Sequence, residues 1–372
     1  MDGYAQFGRL EGRSPVEVVD LADTPEALDR GGVWFVVAEF DGRARAWRFA
    51  DVRRGPVGSV AAAATPRART AWAGPARDGW TSSLDQDGYE AAVRTVREHV
   101  RAGDVYQVNV CRVLSAPLAP GGPDGTPAEP DARALAQRLA AGNPAPYQGV
   151  LHVPASSGID PVWVVCASPE LFLRLDARPA GITTLTSGPI KGTATSPEGL
   201  GDKDRAENVM ITDLVRNDLQ RVCAPGTVEV TSLLGVEHHP GLVHLVSTVT
   251  GRLRPDVVTG PGTWARVLAA TFPPASVSGA PKSSALRIIR DLEPVPRGPY
   301  CGAVGWVDAD AGTAELAVGI RTFWWDRGTD GRSPALRFGT GAGITWGSDP
   351  HGEWLETELK ARRLVDLASA AH

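Results

Sequence analysis

The chain has 372 residues, a net charge of −5 at neutral pH and 42% hydrophobic residues, a composition typical of a globular protein. The acidic balance leaves no basic footprint for nucleic acid, and no run of about 18 apolar residues predicts a membrane span. The N-terminus lacks a basic start and an apolar stretch, so no signal peptide is expected. The four cysteines, none in a C-x-x-C pattern, are typical of buried reduced thiols, and we expect a cytoplasmic protein: Cys111, Cys166, Cys223 and Cys301.

The first half of the chain alternates strand signals with helix signals. Residues 1–80 are predicted to form short strands and turns. Apolar runs over 33–40 and 44–49 around Asp41-Gly42 predict a hairpin. Apolar residues at intervals of three to four predict a helix over 83–102 that Gly103 ends. The elements that follow are predicted to be a strand over 105–115, a surface loop over 116–130, a short helix over 131–141 and strands over 148–153, 161–167 and 171–175.

The second half continues the same alternation. Its predicted elements are a helix over 204–221, strands over 228–232 and 245–253, helices over 262–270 and 281–292, strands over 301–307, 313–323 and 335–343, and a helix over 350–368. Strand runs with interspersed helices favour an α+β fold whose antiparallel or mixed sheets are covered by helices. The length alone suggests two or three domains, but no Pro/Ser-rich linker divides the chain, so we predict one domain over 1–372.

Lys191 lies in the stretch SGPIKGT at 187–193. Because Pro189 fixes φ and Gly192 permits a close approach of the backbone, we predict a short, tight turn that points the lysine at a ligand. Burial lowers the pKa of a lysine, and a neutral lysine is a nucleophile. The alternatives are a cation that binds phosphate or carboxylate, or an ordinary turn lysine.

Carboxylates on the last predicted helix form a second candidate site. Glu353, Glu356 and Lys360 are spaced i, i+3, i+7 and therefore share one helical face. Two carboxylates one turn apart suit Mg²⁺, and Glu207, near the start of another helix, is the candidate third ligand. The apolar residues of the last helix are expected to face apolar neighbours: Trp354, Leu355 and Leu359. The alternative is that the glutamates are solvated surface residues.

Other polar candidates lie beside glycines and apolar residues. The loop that contains Ser276 leads into a helix at Pro281, and its hydroxyls and amides suit an anion such as a carboxylate. His244 has apolar neighbours, a context more typical of a core residue than of a catalyst. Arg321, near the end of an apolar strand, is either a ligand clamp or a surface arginine.

Nine stretches in one order resemble the chorismate-utilising enzymes, which include anthranilate synthase, aminodeoxychorismate synthase component I, isochorismate synthase and salicylate synthase. They are GDVYQVN at 103–109, SPE at 168–170, PIKGT at 189–193, ENVMITDLVRNDL at 207–219, HLVS at 244–247, SGAPK at 278–282, RGPYCG at 297–302, GAGI at 341–344 and SDPHGEWLET at 348–357. The resemblance implies an α+β fold of four layers, α/β/β/α, in which two β-sheets pack together with helices outside. Within this one domain it implies a shortened, strand-rich N-terminal part over 1–80 and a catalytic core over 81–372.

The resemblance also implies a role for each candidate. The implied ligands of Mg²⁺, which would bridge to the ring carboxylate of chorismate, are Glu207, Glu353 and Glu356. The implied substrate-binding residues are Thr193, Ser276, Tyr300, Arg321, Gly341, Ala342, Gly343 and Lys360. The implied catalytic residues are Lys191, Glu170 as the general acid that helps hydroxide leave, and His244, which matches a histidine associated with pyruvate elimination.

Two positions separate the branches of this family. Gln107 stands where isochorismate and salicylate synthases carry a lysine that activates water, so water addition is not expected. Lys191 stands where anthranilate synthases carry alanine and aminodeoxychorismate synthases carry lysine. The resemblance therefore favours aminodeoxychorismate synthase component I, which forms 4-amino-4-deoxychorismate for 4-aminobenzoate synthesis. The alternatives are anthranilate synthase component I and a non-catalytic chorismate-binding regulatory subunit.

The resemblance also implies a partner. In the favoured branch the lysine amine attacks C2 of chorismate, the C4 hydroxyl leaves, and ammonia then adds at C4 and displaces the lysine. Ammonia would come from a separate glutamine amidotransferase subunit. We expect none fused to this chain, because it begins and ends within or near the synthase domain.

Overall fold

A computed structural model of the protein describes residues 3–55, 72–119, 128–178, 182–194, 196–239, 242–328 and 333–370. The strands are β1 (Tyr4–Phe7), β2 (Leu10–Asp20), β3 (Val33–Ala38), β4 (Ala44–Arg54), β5 (Thr81–Ser82), β6 (Gln107–Ala116), β7 (Tyr147–Val153), β8 (Val162–Ser168), β9 (Leu171–Arg178), β10 (Ile182–Gly188), β11 (Ile190–Ala194), β12 (Glu229–His239), β13 (Leu242–Arg252), β14 (Gly279–Ala280), β15 (Ala303–Asp308), β16 (Thr313–Val318), β17 (Thr322–Asp326) and β18 (Ala335–Ile344). The α-helices are α1 (Gln86–Ala102), α2 (Ala132–Gly142), α3 (Asp202–Gln220), α4 (Pro255–Thr259), α5 (Thr263–Thr271), α6 (Lys282–Leu292) and α7 (Pro350–Ala368).

Antiparallel hydrogen bonds join these strands into one continuous network. The first half of this network, which is not the first half of the chain, consists of β6, β18, β17, β8 and β7 in that order. Strands β5 and β14 pair with the other side of β6. Strands β1, β2 and β4 continue it from β7. The second half runs β3, β15, β16, β9, β10, β13, β12, and β11 follows β10 along the same side of β13.

The two halves pack face to face around the largest apolar cluster. This cluster takes Val113 and Val164 from the first half and Leu173 and Val304 from the second, all at most 3% exposed. Full burial of each such side chain contributes about 1.5–3 kcal/mol. The predicted α+β fold with two packed sheets is therefore confirmed, and the structure adds that β1, β2 and β4 join the sheets.

Helices cover the outer faces of both halves. Helices α2 and α7 share an apolar cluster with β8, β17 and β18, whereas α1 and α6 share one with β6 and β18. On the second half, α3 packs against β11, β12 and β13. No helix in the described part of the chain is long and apolar enough to cross a membrane. The helices thus form the two outer layers that the resemblance implied.

The predicted helices and most predicted strands are confirmed, with shifts of a few residues at their ends. The last helix occupies residues 350–368 as predicted, because Asp349 caps it by accepting a hydrogen bond from the Gly352 amide at 2.8 Å. The predicted loop over 116–130 lies partly outside the described residues. The described residues before position 80 contain strands β1 to β4, in agreement with the strands and turns expected there, whereas β10, β11, β14 and α4 were missed.

Three local predictions were wrong. The predicted strand over 313–323 is two strands, because Arg321 has a φ of 51° and breaks the extended backbone between them. The strand predicted over 228–232 extends to His239, since two irregularities in its pairing with β13 obscure the alternation. Lys191 lies in β11 and not in a turn, because its backbone pairs with Leu245.

Candidate active site

Lys191 precedes a β-bulge that shapes one wall of the site. On β11, Lys191 pairs with Leu245 and Thr193 with His244, so that Gly192 is the extra residue. Gly192 has a φ of +80°, and a Cβ added to it would lie 2.8 Å from the Cβ of Asp204. Only glycine therefore lets the start of α3 pack this closely against β11. The side chain of Thr193 lies outside the described part of the structure.

The amine of Lys191 points toward strand β18 of the opposite half. A Cβ added to Gly343 would lie 3.1 Å from Lys191 Nζ and 2.6 Å from Gln107 Nε2. Burial lowers the pKa of Lys191, and the Lys360 ammonium lowers it further, against opposing carboxylates of which Glu207 has the largest effect. Both sheets thus contribute to one enclosure around an amine that loses its proton more easily than a free lysine.

Glu170 follows β8 and is 4% exposed. Burial raises its pKa to about 7, although the Ser276 hydroxyl, the Lys191 ammonium and the Ile190 amide favour the charged form. Glu170 and Ser276 also line a cavity of about 10 Å³, room for about one water molecule. A carboxyl group with a pKa near 7 is half protonated at neutral pH, so Glu170 is able both to give and to take a proton.

Two helices bring the three predicted metal-binding carboxylates toward Lys191. Glu207 comes from α3, and Glu353 and Glu356 come from α7. Lys203 Nζ lies 3.3 Å from Glu353 Oε1 and 3.8 Å from Glu207 Oε1. Lys360 pairs with Glu356, so each of the three carboxylates has an ammonium group beside it.

Lys360 connects Glu356 on α7 with strand β18. Its Nζ lies 2.6 Å from Glu356 Oε1 and donates a hydrogen bond of 3.1 Å to the Gly341 carbonyl. Burial alone would raise the pKa of Glu356, but the ammonium groups of Lys360, Lys191 and Lys203 together outweigh it, and the pKa is lower than usual. Helix α7 is in this way tied to the glycine strand that faces Lys191.

The three carboxylates are chemically suited to bind a hard cation, but their positions do not form a complete metal site. Glu207 Oε1 is buried and accepts no hydrogen bond, and Glu353 is 4% exposed. Such an oxygen is a natural ligand for Mg²⁺. Within the described residues, however, no three His, Cys, Asp or Glu side chains are placed to bind one ion together. Lys203, between Glu207 and Glu353, occupies part of that space.

The other predicted site residues differ in how deeply they are buried and in what they contact. His244 is 1% exposed on β13, and Ala342 packs among apolar side chains beneath α1 and α6, so that only its backbone is left to face a ligand. Burial lowers the pKa of the Arg321 guanidinium. Tyr300 is enclosed, with its hydroxyl at Cys111, and burial raises its pKa well above the usual value. None of the described contacts links Tyr300 or Arg321 directly to Lys191.

Sequence reasoning missed Lys203 and the state of the Gln107 side chain. Lys203 is four residues before Glu207 on one helix, a spacing that signals an ion pair. Gln107 is fully buried, and neither its amide nitrogen nor its amide oxygen has a hydrogen-bond partner. The expectation for the apolar residues of α7 holds only in part, because Leu355 is 52% and Leu359 is 67% exposed.

The chain is similar in sequence to known proteins of one family. A family model described as chorismate binding enzyme matches residues 51–366. Anthranilate synthase component 1 of Saccharolobus solfataricus is 36% identical over 297 residues, which cover 77% of this chain and 63% of that protein. The protein of the same name from Streptomyces coelicolor is 37% identical over 339 residues, which cover 86% of this chain and 58% of that one. The chain thus spans less than two thirds of these relatives' length.

Solved structures share the fold at low sequence identity. A putative 2,3-dihydroxybenzoate-specific isochorismate synthase from Bacillus anthracis has a TM-score of 0.76 at 19% identity, over 98% of this chain and 96% of that one. Anthranilate synthase component I from Streptococcus pneumoniae has a TM-score of 0.72 at 21% identity, over 97% and 92% of the two chains. Together with the family match, these similarities establish that the chain belongs to the chorismate binding enzyme family.

Proposed function

We propose that the chain is the aminodeoxychorismate synthase component, which converts chorismate and ammonia into 4-amino-4-deoxychorismate and water. One observation carries the proposal: the Lys191 amine is enclosed, its pKa is lowered, and it faces a bare glycine strand beside Gln107 and Glu170. A nucleophilic amine needs this combination of a proton that is lost more easily and an open approach. An anion-binding lysine would instead keep its proton.

The reaction then proceeds through a covalent bond to Lys191. The neutral amine adds to C2 of the chorismate ring, the ring double bond shifts, and the C4 hydroxyl leaves with the proton of Glu170 as water. The Glu170 carboxylate takes the surplus proton from the new C2–nitrogen centre. Ammonia next adds at C4, the C2–nitrogen bond breaks, and Lys191 leaves as an amine. The departing lysine nitrogen takes a proton from Glu170, and the proton lost by the incoming ammonia restores Glu170.

Residues around Lys191 would bind and orient the substrate. Mg²⁺, which we propose as the cofactor held by Glu207, Glu353 and Glu356, would supply positive charge for the anionic substrate. Arg321 and Tyr300 are proposed to bind a carboxylate, and Ser276 holds Glu170 in place by a hydrogen bond. Lys360 positions the backbone of β18 through the Gly341 carbonyl. We further propose that a glutamine amidotransferase subunit supplies the ammonia, and that both act in the cytoplasm.

Anthranilate synthase component I is the second candidate. The names of the curated relatives fit it better than they fit the first. In that reaction an amine is introduced at C2 and pyruvate is eliminated, a step for which His244, buried on β13, is the candidate residue. The presence of lysine at position 191 is what favours the first candidate over this one. A non-catalytic chorismate-binding subunit remains the third alternative.

Product analysis separates the candidates. The chain is incubated with chorismate, Mg²⁺ and ammonium, and the products are separated by liquid chromatography with mass and fluorescence detection. We expect 4-amino-4-deoxychorismate from the wild type and a large loss of it in Lys191→Ala, whereas Arg205→Gln, an exposed charge change on α3, serves as the control. Fluorescent anthranilate as the main product would establish the second candidate instead. Chorismate binding without turnover would favour the third.

A second measurement tests the covalent step directly. The chain is mixed with chorismate and Mg²⁺ without any amine, and its intact mass is recorded after rapid quenching. We expect a species heavier by one chorismate less one water, and peptide mapping should place it on Lys191. Amination at the wild-type rate by Lys191→Ala would reject the covalent role.

A further inference from the structure

Lys203 lies between two of the carboxylates that are proposed to bind the divalent cation, Glu207 and Glu353. It is in the first turns of α3, and its ammonium is 3.3 Å from Glu353 Oε1 and 3.8 Å from Glu207 Oε1. Glu207 and Glu353 come from different helices and are largely buried, with side chains 15% and 4% exposed. One lysine thus bridges two carboxylates that would repel each other without a cation between them.

The lysine is free to leave this position. Its side chain is 56% exposed, and within the described residues its ammonium contacts no carboxylate other than these two. Lys360 is held more firmly, because it both pairs with Glu356 and donates to the Gly341 carbonyl. A long side chain on the helix surface is able to swing into water at little cost, and its ammonium is then fully hydrated.

We propose that Lys203 is an internal competitor of the divalent cation. In the metal-free protein its ammonium neutralises Glu207 and Glu353, and it moves into solvent when the cation binds. This inference rests on the proposed metal site. It explains why no three carboxylates are assembled for a metal in the described structure, although Glu207 Oε1 is buried without a hydrogen-bond donor.

Two consequences follow from competition. A side chain without charge at position 203 should strengthen metal binding, and an arginine, which holds carboxylates through two parallel hydrogen bonds, should weaken it. Partly exposed ion pairs are weak, so the two contacts together correspond to a change of about two- to thirtyfold in the dissociation constant. The metal-free protein should also lose thermal stability when Lys203 is neutralised, because Glu207 and Glu353 then face each other uncompensated.

The test is calorimetric titration of Mg²⁺ into the chain without chorismate. The proteins compared are the wild type, Lys203→Gln, Lys203→Arg, Glu353→Gln as the ligand control and Arg205→Gln as the matched control for lost charge on α3. We expect the affinity to rise in the order Arg, Lys, Gln at position 203, with Arg205→Gln close to the wild type. Melting temperatures with and without Mg²⁺ form the second readout: Lys203→Gln should melt lower than the wild type only without Mg²⁺.

The outcomes separate this inference from the proposed function. Equal affinity in all three position-203 proteins, with a loss in Glu353→Gln, would overturn the role of Lys203 and leave the metal site intact. A lower melting temperature of Lys203→Gln both with and without Mg²⁺ would assign Lys203 a structural role only. Absence of Mg²⁺ binding in every protein would overturn both the metal site and this inference, while the covalent role of Lys191 would stand on its own mass measurement.

Discussion

Two buried polar clusters in this protein differ in how completely their hydrogen bonds are satisfied. Arg297 donates to both oxygens of Glu293 at 2.6–2.7 Å, to the Val277 carbonyl at 2.9 Å and to the Asn109 carbonyl at 2.7 Å. Around Lys191, in contrast, the whole amide of Gln107 and one oxygen of Glu207 have no hydrogen-bond partner. The first cluster is complete without a ligand, whereas the second is not.

The difference agrees with a structural role for the first cluster and with the proposed chemistry at the second. A buried polar group without a partner costs about 1–3 kcal/mol, so a cluster with several of them is stable only if something else holds it together. Other unpaired buried atoms occur elsewhere in the described chain, for example Trp306 Nε1. We therefore expect changes at Arg297 to reduce stability and changes at the Lys191 cluster to reduce activity.

The largest expected effect on stability is that of Arg297→Met. It leaves Glu293 buried without its counterion, and we expect the free energy of unfolding to fall by about 3–5 kcal/mol, or the chain not to fold. Chemical unfolding followed by tryptophan fluorescence measures this. The double change Arg297→Met with Glu293→Gln should recover part of the loss, because the unpaired charge is removed. A loss below about 1 kcal/mol in the single variant would contradict the structural role.

Glu170→Gln is expected to make the protein more stable at alkaline pH and much less active. Since the pKa of Glu170 is about 7 in the folded protein and 4.5 in the reference state, the folded state binds the extra proton between these values. The wild type therefore loses about 2–3 kcal/mol of stability as the pH rises from about 5 to 8, and Gln removes that loss. Unfolding at both pH values, with the exposed Glu98→Gln as control, measures the difference.

The same carboxyl group predicts the pH dependence of the reaction. In its proposed role as the general acid, Glu170 must carry its proton, so the turnover rate should fall above about pH 7. Gln at this position should lower the rate by about 10²–10⁴ and abolish that fall. Persistence of the alkaline fall in the Gln variant would assign it to another group.

Two glycines on strand β18 allow a direct contrast between the clusters. A Cβ at Gly339 would overlap the ring of Tyr300, which is enclosed in the core. Because this ring has no room to move, Gly339→Ala should reduce stability by about 1–3 kcal/mol. Thermal unfolding measures it, and an unchanged melting temperature would mean that the core around Tyr300 yields easily.

Gly343→Ala is expected to have the smallest effect on stability and a clear effect on catalysis. Its Cβ would meet Gln107 Nε2 at 2.6 Å and Lys191 Nζ at 3.1 Å, the ends of two flexible side chains that are able to shift. Stability should change by no more than about 0.5 kcal/mol, while displacement of the amine should slow turnover by about tenfold or more. Steady-state kinetics and melting curves on the same sample measure the two expected effects. A normal turnover rate would mean that the Lys191 amine does not lie against Gly343.

Local signals in the sequence predicted the helices better than the strands. Helix α7 was predicted at its correct ends because Asp349 and Pro350 are strong start signals. The start of α1 was placed too early, since Ser83 accepts a hydrogen bond from Val113 on β6 and Asp85 is the actual cap. Strands such as β10 and β11 were missed because their partners lie far along the chain and no local alternation marks them.

The candidate site was predictable as a set of residue types and not as an arrangement. Spacing and family resemblance identified Lys191, Glu170 and the carboxylates of α7, whose roles stay predictions until they are measured. The position of Lys203 depends on how close α3 comes to α7, two helices that are about 150 residues apart in sequence. The unpaired state of Gln107 depends on the glycine that faces it from β18. No pattern within one segment reports such distances.

The continuous strand network has a consequence for the synthesis of the protein. Strand β3 pairs with β15, and β6 pairs with β18, so the early strands find these neighbours only after most of the chain has left the ribosome. Pairings this distant in sequence make folding slow and leave unpaired strand edges open to other chains in the meantime. The neighbours of Gln107 on β18 and those of Glu207 on α7 are synthesised late. The pocket around Lys191 is therefore among the last parts of a newly made molecule to form.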